Sequence, residues 1–126
     1  MAPTIVVLSD QSGEVSELVS KLKGAGFLVE ETQTATATLD LVSSLRPSLL
    51  IASGDSRELD SPKLAEKVYD TYSIPTFLVL AAAGDATQNR MIRHPGIIGV
   101  FFSPLNVEKL FLRIRKFFEM LDTPLP

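Results

Sequence analysis

Five short apolar runs, none broken by a polar residue, constrain this chain more than any other feature. They are Ile5-Val6-Val7-Leu8, Phe27-Leu28-Val29, Leu49-Leu50-Ile51-Ala52, Phe77-Leu78-Val79-Leu80 and Ile97-Ile98-Gly99-Val100-Phe101-Phe102. A strand with one face in water alternates apolar and polar residues, whereas a strand covered on both faces does not. The runs therefore predict a sheet buried on both sides. Segments of helical period lie between them. Val15, Leu18, Val19 and Leu22 share one helix face, and Gly24 and Gly26 follow as a stop. Leu41, Val42 and Leu45 mark a shorter helix ended by Pro47, because the residue before a proline avoids the helical region. Ser61-Pro62 reads as an N-cap and a first-turn proline ahead of Leu64, Ala65 and Val68. A short helix is expected around Gln88 to Arg93. Val107, Leu110, Phe111, Ile114, Phe117, Phe118 and Leu121 then form a strong final stripe.

Strands alternating with helices over short connections imply parallel pairing through right-handed crossovers, with helices on both sheet faces. The expected fold class is α/β, a flavodoxin-like three-layer α/β/α sandwich of five parallel strands in the order 2-1-3-4-5. Residues 1–121 are expected to make one domain. Residues 122–126, Asp-Thr-Pro-Leu-Pro, read as a tail or the start of a linker.

Composition narrows the function. Hydrophobic residues make up 45% of the 126, enough for a core and too many for a disordered chain. The net charge is −3 and the basic residues are scattered; a nucleic-acid surface needs a dense positive field. With no cysteine, disulfides, thiolate catalysis and thiolate metal sites are excluded. The apolar run after the N-terminus is too short for a signal peptide or a membrane span, and a cytoplasmic location is expected. The lone histidine, His94, is expected to be a solvated loop residue, and a Ser-His-Asp triad is improbable.

In the predicted topology a crevice opens at the carboxyl ends of strands 1 and 3, where the chain departs in opposite directions. Ser9-Asp10 follows strand 1 and Ser53-Gly54-Asp55 follows strand 3; Ala81-Ala82 and Ser103-Pro104 follow strands 4 and 5. Several landmarks, in order, resemble the receiver domain of two-component response regulators, the CheY-like family. Ile5 to Asp10 resembles a first strand ending in an acidic pair, and Gly24 to Val29 the turn into strand 2. Arg46 to Ser53 resembles the strand that leads to the phosphorylated aspartate. Ile74-Pro75 resembles the lead-in to strand 4, and Ser103-Pro104-Leu105 the Lys-Pro-hydrophobic stretch before the last helix.

The resemblance implies a transfer of phosphoryl from histidine to aspartate, assisted by Mg²⁺, a hydroxyl and a lysine. Here the acidic pair falls on Ser9 and Asp10, the phosphoacceptor on Ser53, the hydroxyl on Leu80 or Ala81, the lysine on Ser103 and the switch aromatic on Val100. Only Asp10 keeps its chemistry. A serine hydroxyl is a weak nucleophile without a base, and one carboxylate is too little for Mg²⁺. The chain thus resembles a degenerate pseudo-receiver: no enzyme, no cofactor, no metal, acting on a protein partner or an adjacent effector or kinase domain. Two alternatives stay open. Asp55 has the strand parity of Ser53 and would serve, with Asp10 and Mg²⁺, as a displaced phosphoacceptor; otherwise Gly54-Asp55 is a turn pair. Ser9 to Glu14 also faintly resembles a flavodoxin phosphate loop, which would make the protein a cofactor binder. In receivers the last two helices and last strand contact partners or a second copy. Val100, Phe111 and Phe118 are the candidate residues of such a surface here, with a homodimer through the last helix as one form of it. Neither nucleic acid nor membrane is expected as a partner.

Overall fold

The structure, a computed structural model, describes residues 3–9, 13–53, 61–80, 94–102 and 105–121. The five apolar runs become five parallel strands: β1 (Thr4–Leu8), β2 (Leu28–Thr32), β3 (Leu49–Ser53), β4 (Thr76–Leu80) and β5 (Ile97–Phe102). They form one sheet in the order β2-β1-β3-β4-β5. Four helices are described: α1 (Gly13–Gly24), α2 (Ala35–Leu45), α3 (Ser61–Tyr72) and α4 (Val107–Met120). The expected fold class and strand order are those observed. The short helix expected near Gln88 to Arg93 and the tail 122–126 lie outside the described residues.

Strand parity divides the core into two layers. Ile5, Val7, Leu49, Ile51, Phe77 and Val79 face α1 and α4. Val6, Leu8, Leu50, Ala52, Leu78 and Leu80 face α2 and α3. Continuous apolar runs are what this double burial requires. Of the predicted α1 stripe, Val15, Leu18, Val19 and Leu22 are all buried.

Local chemistry sets the helix ends. After α1, the Phe27 N–H donates to the Leu22 carbonyl and the Gly26 N–H to the Lys23 carbonyl. This is a Schellman closure, and Gly26 at φ 98° occupies its left-handed position. Phe27 and Leu22 are both buried, which supplies the apolar contact of that motif. Thr34 caps α2 by accepting from the Ala37 N–H at 3.0 Å, and Asn106 caps α4 by accepting from the Lys109 N–H at 3.0 Å. Ser61 differs from expectation. The helix begins at Ser61 itself, and its buried hydroxyl finds no hydrogen-bond partner, so its side chain does not cap. In β5 the register jumps from Thr76↔Ile97 to Phe77↔Gly99, a bulge that sets Ile98 and Gly99 together opposite the Phe77 ring. Among the described residues no helix is long and apolar enough to cross a membrane.

Candidate functional site

The carboxyl edge of the sheet gathers three of the predicted positions. Leu8 pairs with both Thr32 and Ala52, and Ser53 pairs with Val79. Ser9 and Ser53 therefore finish neighbouring strands. Ser53 shares the parity of Leu49 and Ile51, and is 1% exposed. Ser9 is half-buried, and its N–H donates to the Thr32 carbonyl at 2.9 Å. Leu80, at the end of β4, is buried in the α2/α3 layer, so an apolar contact fills the place where the resemblance puts a hydroxyl. Asp10, Asp55, Ala81 and Ser103 lie outside the described residues.

A hydroxyl chain that the sequence analysis missed forms one wall of this edge. The Oγ1 atoms of Thr32 and Thr38 lie 2.6 Å apart, and the Thr38 hydroxyl donates to the Thr34 carbonyl at 2.8 Å. Each hydroxyl has one proton, so with that of Thr38 committed, Thr32 donates to Thr38. The 3.5 Å approach of Thr32 Oγ1 to the Val7 carbonyl is then a secondary contact. The chain pins the end of β2 to the start of α2, beside Ser9. Its signal was available: Thr34 and Thr38 stand four apart at a helix start.

His94 is corrected. It is not a solvated loop residue, since its side chain is only 17% exposed. Its Nδ1 accepts from the Gly96 N–H at 3.0 Å, its Nε2 lies 3.2 Å from an Asp70 carboxylate oxygen, and its ring meets Tyr69 edge-on. Because Nδ1 accepts, Nε2 carries the proton and donates to Asp70. Both nitrogens are thus occupied in holding the lead-in to β5 against α3. Tyr69 and Tyr72 sit in the last turn of the same helix; the Arg46 guanidinium lies over Tyr72, 4.8 Å from its centroid.

No protein-family model matches the sequence, and no curated protein does. Solved structures match over nearly the whole chain. The signal receiver domain of an HD domain-containing protein from Pseudomonas fluorescens Pf-5 has a TM-score of 0.81 at 21% identity, over 95% of this chain and 97% of that one. A CheY-like receiver domain protein from Methanospirillum hungatei JF-1 has a TM-score of 0.82 at 16% identity, over 97% and 98%. The fold is that of a response regulator receiver domain. The same fold covers 96% of this chain and 53% of a streptococcal redox sensor, of a family evolved from two-component response regulators, at a TM-score of 0.81 and 16% identity.

A phosphorylated receiver needs hard oxygen ligands for Mg²⁺ at its strand ends. The described side chains at the strand ends of this receiver fold, Ser9, Ser53 and Leu80, are two neutral hydroxyls and an alkyl group; the carboxylates of the adjoining loops, Asp10 and Asp55, lie outside the described residues. Among the described residues no group of three or more His, Cys, Asp or Glu side chains converges.

The surface expected on the last helix is also corrected. Phe118 is 0% and Phe111 8% exposed. Both rings pack into the α1/α4 layer, and their burial removes them from any docking surface. Val100 is half-buried against the α2/α3 layer. The exposed apolar residues of α4 are instead Leu112 and Met120, at 53% and 77%. Beside Met120 a cleft of about 450 Å³ runs between α4 and the edge of the sheet, lined by the apolar Phe77, Ile98, Phe117 and Met120 and the cationic Arg113 and Lys116.

Proposed function

We propose that this protein is a receiver-like module of two-component signalling that acts by protein contact and does not carry a phosphoryl group. One observation carries the reading: Ser53, which ends β3 where a receiver presents its acceptor aspartate, is 1% exposed. A buried serine hydroxyl offers neither the charge nor the access that acyl phosphate formation requires. The neighbouring Ser9 and Leu80 point the same way. That the streptococcal redox sensors derive from response regulators shows that this fold can serve other inputs. Thiol chemistry is not the input here, because the chain has no cysteine.

Incubation with acetyl phosphate and Mg²⁺, followed by intact-mass and peptide mass spectrometry, tests the proposal. The expected result is no phosphate adduct at any residue. Beryllofluoride with millimolar Mg²⁺ should likewise leave the thermal midpoint unchanged. A stoichiometric adduct on Asp55, or a saturable Mg²⁺-dependent rise in midpoint, would replace this reading with that of a conventional phosphoreceiver.

A further inference from the structure

The amino edge of the sheet, opposite the strand ends that carry Ser9 and Ser53, holds a groove of about 560 Å³. The segments that lead into β3, β4 and β5 meet there with the ends of α3 and α4. Tyr69 and Tyr72, from the last turn of α3, line it with Leu121, which follows the last turn of α4. Pro47, Pro75 and Pro95 supply one ring from each of the three lead-ins. Both tyrosines are half-buried and Pro95 is exposed, and Leu121 is 56% exposed, so apolar surface in the groove is left to water. Among the described lining residues only Arg46 is charged, and its guanidinium lies 4.8 Å from the centroid of the Tyr72 ring.

The sequence that follows Leu121 has the matching chemistry. It reads Asp122-Thr123-Pro124-Leu125-Pro126 and lies outside the described residues. Thr123 and Leu125 each precede a proline, a position that is driven from the helical region into the extended one. The sequence therefore biases this segment toward polyproline II before anything holds it. Aromatic grooves recognise that conformation because little entropy is left to lose. The two prolines carry no N–H, so burial strands few donors. The one charged side chain of the segment, Asp122, complements Arg46.

We propose that this groove is the docking site of the chain's own residues 122–126. Leu125 and the proline rings pack against Tyr69 and Tyr72, and Asp122 meets Arg46. The segment expected from the sequence to be a tail or a linker becomes part of the fold. Chain continuity selects this occupant, because Leu121 both lines the groove and caps the helix that delivers the segment. Five extended residues reach about 15 Å, and the tether holds them at an effective concentration in the millimolar range. A free segment of another protein must exceed that to displace them. The docked segment ties the end of α4 to the end of α3 and sets the direction in which the chain leaves the sheet, at the edge away from Ser9 and Ser53. It does so whether or not the opposite edge carries phosphate.

Tyrosine emission reads this groove directly: the chain has no Trp, and its two tyrosines both line the groove. Leu125→Asp and Asp122→Lys lie beyond the last helix and leave the core untouched. Leu125→Asp should raise the acrylamide quenching constant of the tyrosine emission by about 1.5- to 2-fold, with an unchanged far-ultraviolet dichroism spectrum. Asp122→Lys should raise it less. Because the chain has no cysteine, Thr123→Cys accepts a single nitroxide label. That label should broaden the amide resonances of Ser48, Tyr69, Tyr72 and Ser73, and adding Leu125→Asp should restore most of their intensity. Equal quenching in parent and Leu125→Asp, or broadening that Leu125→Asp leaves unchanged, would overturn the proposal. So would quenching that falls as protein concentration rises, with broadening passed from labelled chains to unlabelled ones, which would give the groove to a second copy.

Discussion

The two faces of the sheet are built from different materials. Six of the seven phenylalanines lie in the α1/α4 layer, and ring contacts run in series from Phe27 through Phe118, Phe117 and Phe77 to Phe101, with centroid separations of 5.1–6.3 Å. The α2/α3 layer contains no phenylalanine. It is aliphatic, and the buried hydroxyls of Thr38, Ser61 and Thr76 belong to its side. Large rigid rings bury much area each, and the α4 cleft opens beside them. In the other layer the irregularities are polar atoms.

If the aromatic layer is a connected stack, its most deeply buried ring, Phe118, should be the most costly to remove. Phe118→Ala is expected to lower unfolding free energy by about 3–5 kcal/mol, measured by urea denaturation. Leu78→Ala, buried equally deeply in the other layer, is expected to fall in the lower half of the range of about 2–5 kcal/mol for such truncations. An equal or larger loss at Leu78 would break the contrast. Ser53→Asp comes next, at about 2–3 kcal/mol near neutral pH. Burial raises the folded-state pKa of an introduced carboxyl above its unfolded value of about 3.9. The folded state then prefers the neutral acid, so the penalty should be small below that pH and grow as pH rises. A variant as stable as the parent at neutral pH would show that cationic groups line the crevice after all, and would favour the phosphoreceiver reading.

Gly99→Ala probes the seam between the layers and the edge. The added Cβ would meet the Phe77 ring at 2.6 Å, and the ring is held by Phe101 and Phe117. A loss of about 1–3 kcal/mol is expected from this overpacking, together with shifted resonances for the residues lining the cleft. A neutral substitution would mean that the bulge is plastic.

The strands and their order were legible in the sequence because double burial writes itself as an unbroken apolar run, and crossover chirality leaves few topologies. What was not legible came from tertiary choices. The final stripe named seven apolar positions, but nothing in its periodicity says which of them the sheet covers. Phe111 and Phe118 look like surplus in sequence and are core in space, while the exposed Leu112 and Met120 stood outside the stripe and drew no notice. The β5 bulge left no local mark except Gly99 within an apolar run. His94 looked solvated because its partners, Tyr69 and Asp70, sit in a helix more than twenty residues upstream. At the strand ends the reverse held. Serine at positions 9 and 53, where the resemblance puts acidic residues, was readable directly, and the structure adds that Ser53 is buried.

The finest contrast lies within the aliphatic layer, between two buried threonines. Thr38 sits in a satisfied chain, accepting from Thr32 and donating to the Thr34 carbonyl. Thr38→Val removes an acceptor and leaves the Thr32 hydroxyl only its long, 3.5 Å contact with the Val7 carbonyl, and should cost about 1–2 kcal/mol. Thr76, 0% exposed, has a hydroxyl oxygen with no hydrogen-bond partner, although its backbone N–H is well used at 2.7 Å by the Gly96 carbonyl. Valine has the same branched shape and the same preference for strands, so Thr76→Val exchanges an unsatisfied polar atom for a methyl in an apolar layer. It should raise stability by up to about 1 kcal/mol. The two substitutions are chemically identical and opposite in sign only because of what surrounds each hydroxyl. A loss at Thr76 comparable to that at Thr38 would imply a buried water bound there, and the division of the two layers into stacked rings and polar defects would need to be redrawn.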